Sequence, residues 1–74
     1  MIKLPALTPK AVLAGLIKAG FEKRYAKGSH IVLVHSVTKR RTMVSIHARE
    51  LHRGAVKIIL KQAGLTENEF RKLI

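Results

Sequence analysis

Two short segments with the same chemistry, Ala19-Gly20-Phe21 and Ala63-Gly64-Leu65, most constrain what this chain can fold into. In each, a glycine ends an amphipathic run and an apolar residue follows, which is how a helix is stopped and its last turn covered. Before the first stop, Val12, Leu13, Leu16 and Ile17 form one stripe at helical spacing. Thr8-Pro9 opens that helix with a capping hydroxyl and a proline suited to the first helical position. Before the second stop, Val56, Ile59, Leu60 and Ala63 repeat the pattern over an expected helix from Gly54 to Ala63. Thr66 and Glu69 then form a capping-box pair for a short last helix, with Phe70, Leu73 and Ile74 as its apolar side.

The chain between the stops has a different period. Phe21 to Lys27 alternates weakly and reads as a strand with Phe21 and Tyr25 on one face. Gly28-Ser29 breaks it. His30 to His35 is rich in β-branched residues and reads as a second strand. Ser36 to Arg41 is polar and is expected to turn, although no glycine marks it; Thr42 to His47 is the third strand. The order is helix, three strands, helix and a short helix: an α+β fold, α-β-β-β-α with a short C-terminal helix. The expected sheet is antiparallel with both main helices on one face and the other face open. That arrangement resembles the double-stranded-RNA-binding domain, a likeness of fold that does not by itself assign a function.

Size and charge narrow the function. Seventy-four residues make one domain, 1–74, with one small core. A domain of this size buries only roughly 60% of its unfolded surface, so any chemistry sits on a surface or in a shallow groove. Lys and Arg number 15 against four acids, all glutamate, for a formal net charge of +11. The pI of about 11.1 exceeds the value of about 9 that suggests a polyanionic partner. Charge alone does not separate nucleic acid from anionic lipid or an acidic protein. Without cysteine there is no disulfide or thiolate metal site. The opening Met1-Ile2-Lys3-Leu4-Pro5 has no run long enough for a secretory signal, and no segment approaches the ~20 apolar residues of a membrane span. A cytoplasmic location is expected.

Four histidines carry the candidate chemistry: His30, His35, His47 and His52. A zinc site is disfavoured, since His47 and His52 are five apart in an expected loop with no Cys or Asp nearby; no metal and no cofactor are expected. A hairpin centred on Thr38-Lys39 pairs residue 30 with 47, 32 with 45 and 35 with 42. His30, Val32, Val34, Met43, Ser45 and His47 then share the open face, and Ile31, Leu33, Val44 and Ile46 face the core. His30 and His47 become cross-strand neighbours, Cβ atoms about 4.5–5.5 Å apart. Paired imidazoles could remove the 2′-OH proton of RNA and protonate the leaving 5′ oxygen, each transfer worth ~10²–10⁴ in rate. Lys27, Arg40, Arg41 and Arg49 are the nearby cations that could stabilise the phosphorane.

Gly28-Ser29-His30 followed by a β-rich strand resembles the active-site strand of HicA-type mRNA interferases, the toxins of HicA/HicB toxin–antitoxin pairs. The first helix ending in Ala19-Gly20-Phe21 is similar to the family's opening. His47, Glu50-Leu51, Gly54 and the run Ile59-Leu60-Lys61-Gln62-Ala63-Gly64-Leu65 are similar to its second half, and Glu69-Phe70 to its ending. The chain departs from the family at Ser45, where Pro is common, at Ala55, where Thr is common, and in lacking an Asp-Gly-like pair in the hairpin turn. The resemblance implies a double-stranded-RNA-binding-like fold, endoribonuclease activity on mRNA, His30 as the catalytic histidine and a HicB-type antitoxin as partner. On this reading Lys27, Ser29, Arg40, Arg41 and His47 contact the RNA. The competing readings are a non-catalytic RNA-binding module of the same fold and a basic protein whose partner is an acidic protein. Double-stranded-RNA readers usually carry a Lys-rich start to the last helix, where this chain has Arg53, Lys57 and Lys61.

Overall fold

A computed structural model of the chain describes residues 7–47 and 49–74. The opening Met1–Pro5 segment lies outside the described residues. Helix α1 (Pro9–Lys18) is followed by strands β1 (Phe21–Lys27), β2 (His30–His35) and β3 (Arg41–Ser45), then by helices α2 (Arg53–Ala63) and α3 (Glu67–Arg71). The strands form one antiparallel sheet in the order β1-β2-β3. The expected order of elements and α+β class are observed. The third strand starts one residue earlier than expected and ends at Ser45, not His47.

Local chemistry accounts for the helix limits. The Thr8 hydroxyl accepts from the Ala11 N–H at 3.2 Å, with Pro9 opening the first turn of α1. At the end of α2, Leu65 N–H reaches Leu60 O at 3.0 Å and Gly64 N–H reaches Lys61 O at 3.2 Å. These are the paired bonds of a Schellman stop. The capping box of α3 is complete: Glu69 N–H donates to Thr66 Oγ1 at 3.1 Å, and Thr66 N–H donates to Glu69 Oε1 at 2.9 Å. Those bonds hold the exposed Glu69 carboxyl below its ordinary acidity range.

The helices bury one face of the sheet. Val12 and Leu16 of α1, Val56, Ile59, Leu60 and Ala63 of α2 and Phe70 of α3 enclose Phe21, Leu33 and Val44. Phe70 packs over α1 where Gly15 leaves room; a Cβ there would stand 2.7 Å from its Cε1. The predicted stripe of α2 is wholly buried, whereas Ile17 of α1 is half exposed. An antiparallel bridge between Leu7 and Leu51 ties the segment before α1 to the segment before α2. Among the described residues no helix is long and apolar enough to cross a membrane.

Two sequence expectations about the sheet fail. The β2–β3 pairing is His30 with Ser45, Ile31 with Val44, Val32 with Met43, Leu33 with Thr42 and Val34 with Arg41. Each partner on β3 is two residues earlier than expected. The cause is His35. Its Nδ1 accepts from the N–H groups of Val37 at 3.0 Å and Thr38 at 3.1 Å, folding the chain back at once. Lys39, at φ 64°, takes the left-handed conformation usually given to glycine. Because the slip is two residues, the faces of β3 are preserved. Ile46 nevertheless lies past the strand and is 45% exposed rather than in the core.

The second failed expectation concerns β1. The register jumps between Lys23, opposite Leu33, and Tyr25, opposite Val32. Arg24 is the extra residue of a bulge, and a bulge reverses the alternation beyond it. Phe21 therefore enters the core while Tyr25 lies on the open face, on opposite sides of the sheet.

Candidate active site on the open sheet face

His30 begins β2 directly after the two-residue loop Gly28-Ser29, which joins the paired residues Lys27 and His30. Gly28 has φ 61°, the backbone sign of the first loop residue in a type II′ hairpin. A Cβ at Gly28 would meet nothing within 4 Å, so conformation rather than space calls for glycine. The Ser29 carbonyl accepts from Ile46 N–H at 2.8 Å, which fastens the loop to the chain leaving β3. His30 is thus held between Lys27 on β1 and Ser45 on β3.

The His30 side chain is exposed and its ring makes no hydrogen bond among the described residues. It stands where two concavities meet. One, of 440 Å³, lies on the open sheet face and is lined by Tyr25, Lys27, His30, Val32, Arg41 and Met43. The other, of 260 Å³, runs between β3 and α2, with Met43, Ser45, Ala55 and Ile58 among its walls. Among the described residues no carboxylate lines either concavity. An accessible imidazole beside Lys27 and Arg41 has the elements needed to move a proton next to a phosphate.

The other expected site residues divide. Lys27 and Arg41 line the same concavity as His30. Ser29 precedes His30 in the loop and is partly buried. Arg40 is at the far end of the hairpin, against the C-terminal stop of α2: a Cβ on Gly64 would stand 2.6 Å from its Nε. That position suits a cation, since the helix C-terminus carries partial negative charge. His47 is exposed, two residues past the end of β3, and the expected His30–His47 strand pair does not form; Ser45 takes that place. His52 precedes α2 without capping it.

A family described as HicA toxin of bacterial toxin-antitoxin matches residues 10–65. The chain belongs to the HicA toxin family. Comparison with curated proteins returned no match. The HicA match runs from α1 through the α2 stop, so it contains all three strands, the Gly28-Ser29-His30 loop and both concavities. This HicA-family chain is accordingly a toxin of the toxin–antitoxin kind. Sequence reasoning missed Tyr25 as a neighbour of His30, because strict alternation placed it with Phe21. The signal available was Lys23, a charged residue between Phe21 and Tyr25 on the face that strict alternation assigns to the core.

Proposed function

We propose that the chain is an endoribonuclease that cleaves mRNA through His30 without a metal, and that a HicB-type antitoxin neutralises it. The observation that carries this reading is the accessible His30 imidazole on a concavity lined by Lys27 and Arg41, in a chain of the HicA toxin family. His30 takes the proton from a ribose 2′-OH. The oxygen attacks the adjacent phosphorus, the bond from phosphorus to the 5′ oxygen breaks, and that oxygen takes up a proton. The products are a 2′,3′-cyclic phosphate and a 5′-hydroxyl. Lys27 and Arg41 offset the negative charge that builds on the phosphorane, and Ser29 orients the loop or holds a phosphate. Arg40 and His47 contact the backbone further from the scissile bond. RNA affinity then falls as salt rises, with a slope set by the number of phosphates contacted.

The test is the chemistry of the product ends. Cleaved RNA is expected to carry 2′,3′-cyclic phosphate, and RNA methylated at every 2′ oxygen is expected to resist. A 5′-phosphate product would sink the 2′-OH mechanism. The alternative, a non-catalytic RNA-binding module, is favoured by one observation: the strand neighbour of His30 is Ser45, not a second histidine. It predicts binding without turnover.

A further inference from the structure

The chain contains three Phe, Tyr or Trp side chains in all: Phe21, Tyr25 and Phe70. Phe21 and Phe70 are core residues, and Tyr25 is 50% exposed. The bulge at Arg24 puts the ring on the open sheet face, where a helix cannot cover it. It lies across from Val32, and Val32 is paired in turn with Met43. Val32 is 1% exposed although it faces away from the helices. The sheet face therefore has a closed apolar floor with an aromatic wall.

Arg41 holds that wall in place. Its guanidinium donates to the Tyr25 hydroxyl and lies 5.8 Å from the ring centroid. One ring is thereby fixed while the surface beside it stays open to the 440 Å³ concavity. That volume is within the roughly 300–1,000 Å³ of small-molecule sites. Tyr25 and Lys27 occupy the same face of β1, two residues or about 7 Å apart, and Lys27 pairs with His30. An aromatic ring, a guanidinium and an ammonium along one groove match the way single-stranded RNA is gripped, bases on flat side chains and phosphates on cations.

We propose that Tyr25 is the stacking surface for one nucleobase of single-stranded RNA, next to the phosphate presented to His30. The proposal rests on the ribonuclease reading above and adds to it a base subsite. Stacking fixes the nucleotide in the concavity, and Lys27 and Arg41 hold the backbone that continues past it. Double-helical RNA, whose bases are already stacked, cannot use this subsite.

The chain has one tyrosine and no tryptophan, so its tyrosine emission reports Tyr25 alone. The experiment titrates the purified full chain with a short single-stranded 2′-O-methyl oligonucleotide, which cannot be cleaved through its 2′ oxygen. Emission is expected to fall severalfold on binding. Inorganic polyphosphate, which has charge but no bases, is expected to leave it unchanged. Tyr25→Leu is expected to weaken oligonucleotide binding about tenfold, and Tyr25→Phe to restore it, since base–aromatic stacking is worth about 1–3 kcal/mol. If Phe behaves as Leu does, the hydroxyl acts through Arg41 and stacking is refuted. Tight binding with unchanged emission and no loss in Tyr25→Leu overturns the subsite and leaves the ribonuclease reading standing. Failure of the wild type to bind RNA or the oligonucleotide overturns both. Circular dichroism of the variants confirms that each is folded.

Discussion

His30 and His35 stand at opposite ends of the same six-residue strand, and their surroundings differ in every respect that matters for chemistry. His35 is half-buried and both ring nitrogens are engaged. In the Nε2–H tautomer it donates to Ala19 O at 3.0 Å while Nδ1 accepts from two turn N–H groups. Its ring also meets Phe21 edge-on, centroids 5.0 Å apart. One imidazole thus joins the end of α1, the core and the β2–β3 turn. His30 is exposed, bordered by cations, and its ring has no hydrogen-bond partner among the described residues. A histidine committed to structure has its nitrogens occupied; one available for proton transfer keeps them accessible.

The contrast can be broken by substitution. The largest stability effect is expected for His35→Ala. It leaves the Ala19 carbonyl and two turn N–H groups without their partner and removes the contact with Phe21. The expected cost is about 2–4 kcal/mol, a fall in Tm of at least about 10 °C for a domain of this size. His30→Ala is expected to stay within about 0.5 kcal/mol of wild type, as exposed sites do. A thermal melt of both variants checks the pair, and equal losses would erase the distinction.

The glycines near the two ends sharpen it. Gly20 has φ 105°, and a Cβ there would lie 2.7 Å from His35 Nε2. Gly20→Ala is expected to cost about 2 kcal/mol, combining backbone strain with displacement of that ring. Gly28→Ala meets only the conformational penalty, about 1 kcal/mol, because the space around it is open. Urea denaturation of the two variants should rank them in that order; the reverse order would show that His35 is not held as described.

An effect similar to that of Gly28→Ala is expected between β3 and α2. Thr42 is buried, and its hydroxyl donates to Gln62 Oε1 at 2.9 Å, joining β3 to α2. Thr42→Val is expected to lose about 1 kcal/mol in the same denaturation, because exposed Gln62 regains water. The smallest effect is at Glu69. Its folded acidity is shifted below the ordinary value of 4.5, chiefly by the Thr66 backbone bond. The stabilisation is full above the unfolded value and is lost as pH falls through the folded one. Glu69→Gln should therefore flatten the acid limb of the stability profile below about pH 4.5 and leave the ranking of the two histidines unchanged.

Much of this fold is legible in the sequence, since helix stops, caps and apolar periods are local. Val56, Ile59, Leu60 and Ala63 announce their buried face without help from the rest of the chain. The β2–β3 register is not legible in that way. Its turn is made by the imidazole of His35 accepting two N–H groups and by a lysine in a glycine-like conformation. Neither belongs to the usual vocabulary of Asn, Asp, Gly and Pro. The Arg24 bulge is hidden for a similar reason: one inserted residue among polar neighbours leaves no mark in the alternation, yet it moves Tyr25 to the other face. His30 is legible through the resemblance of the contiguous Gly28-Ser29-His30 loop and strand to the HicA active-site strand. The company it keeps, Tyr25 and Arg41, depends on that bulge and register.

The most direct measurement is the rate of RNA cleavage, in EDTA, by the wild-type chain and by His30→Ala purified identically and shown to melt at the same temperature. The account predicts cleavage by the wild type and a loss of at least about 10²-fold in the variant, with RNA binding retained. Equal cleavage by the two proteins, or cleavage abolished by EDTA in the wild type, would contradict it.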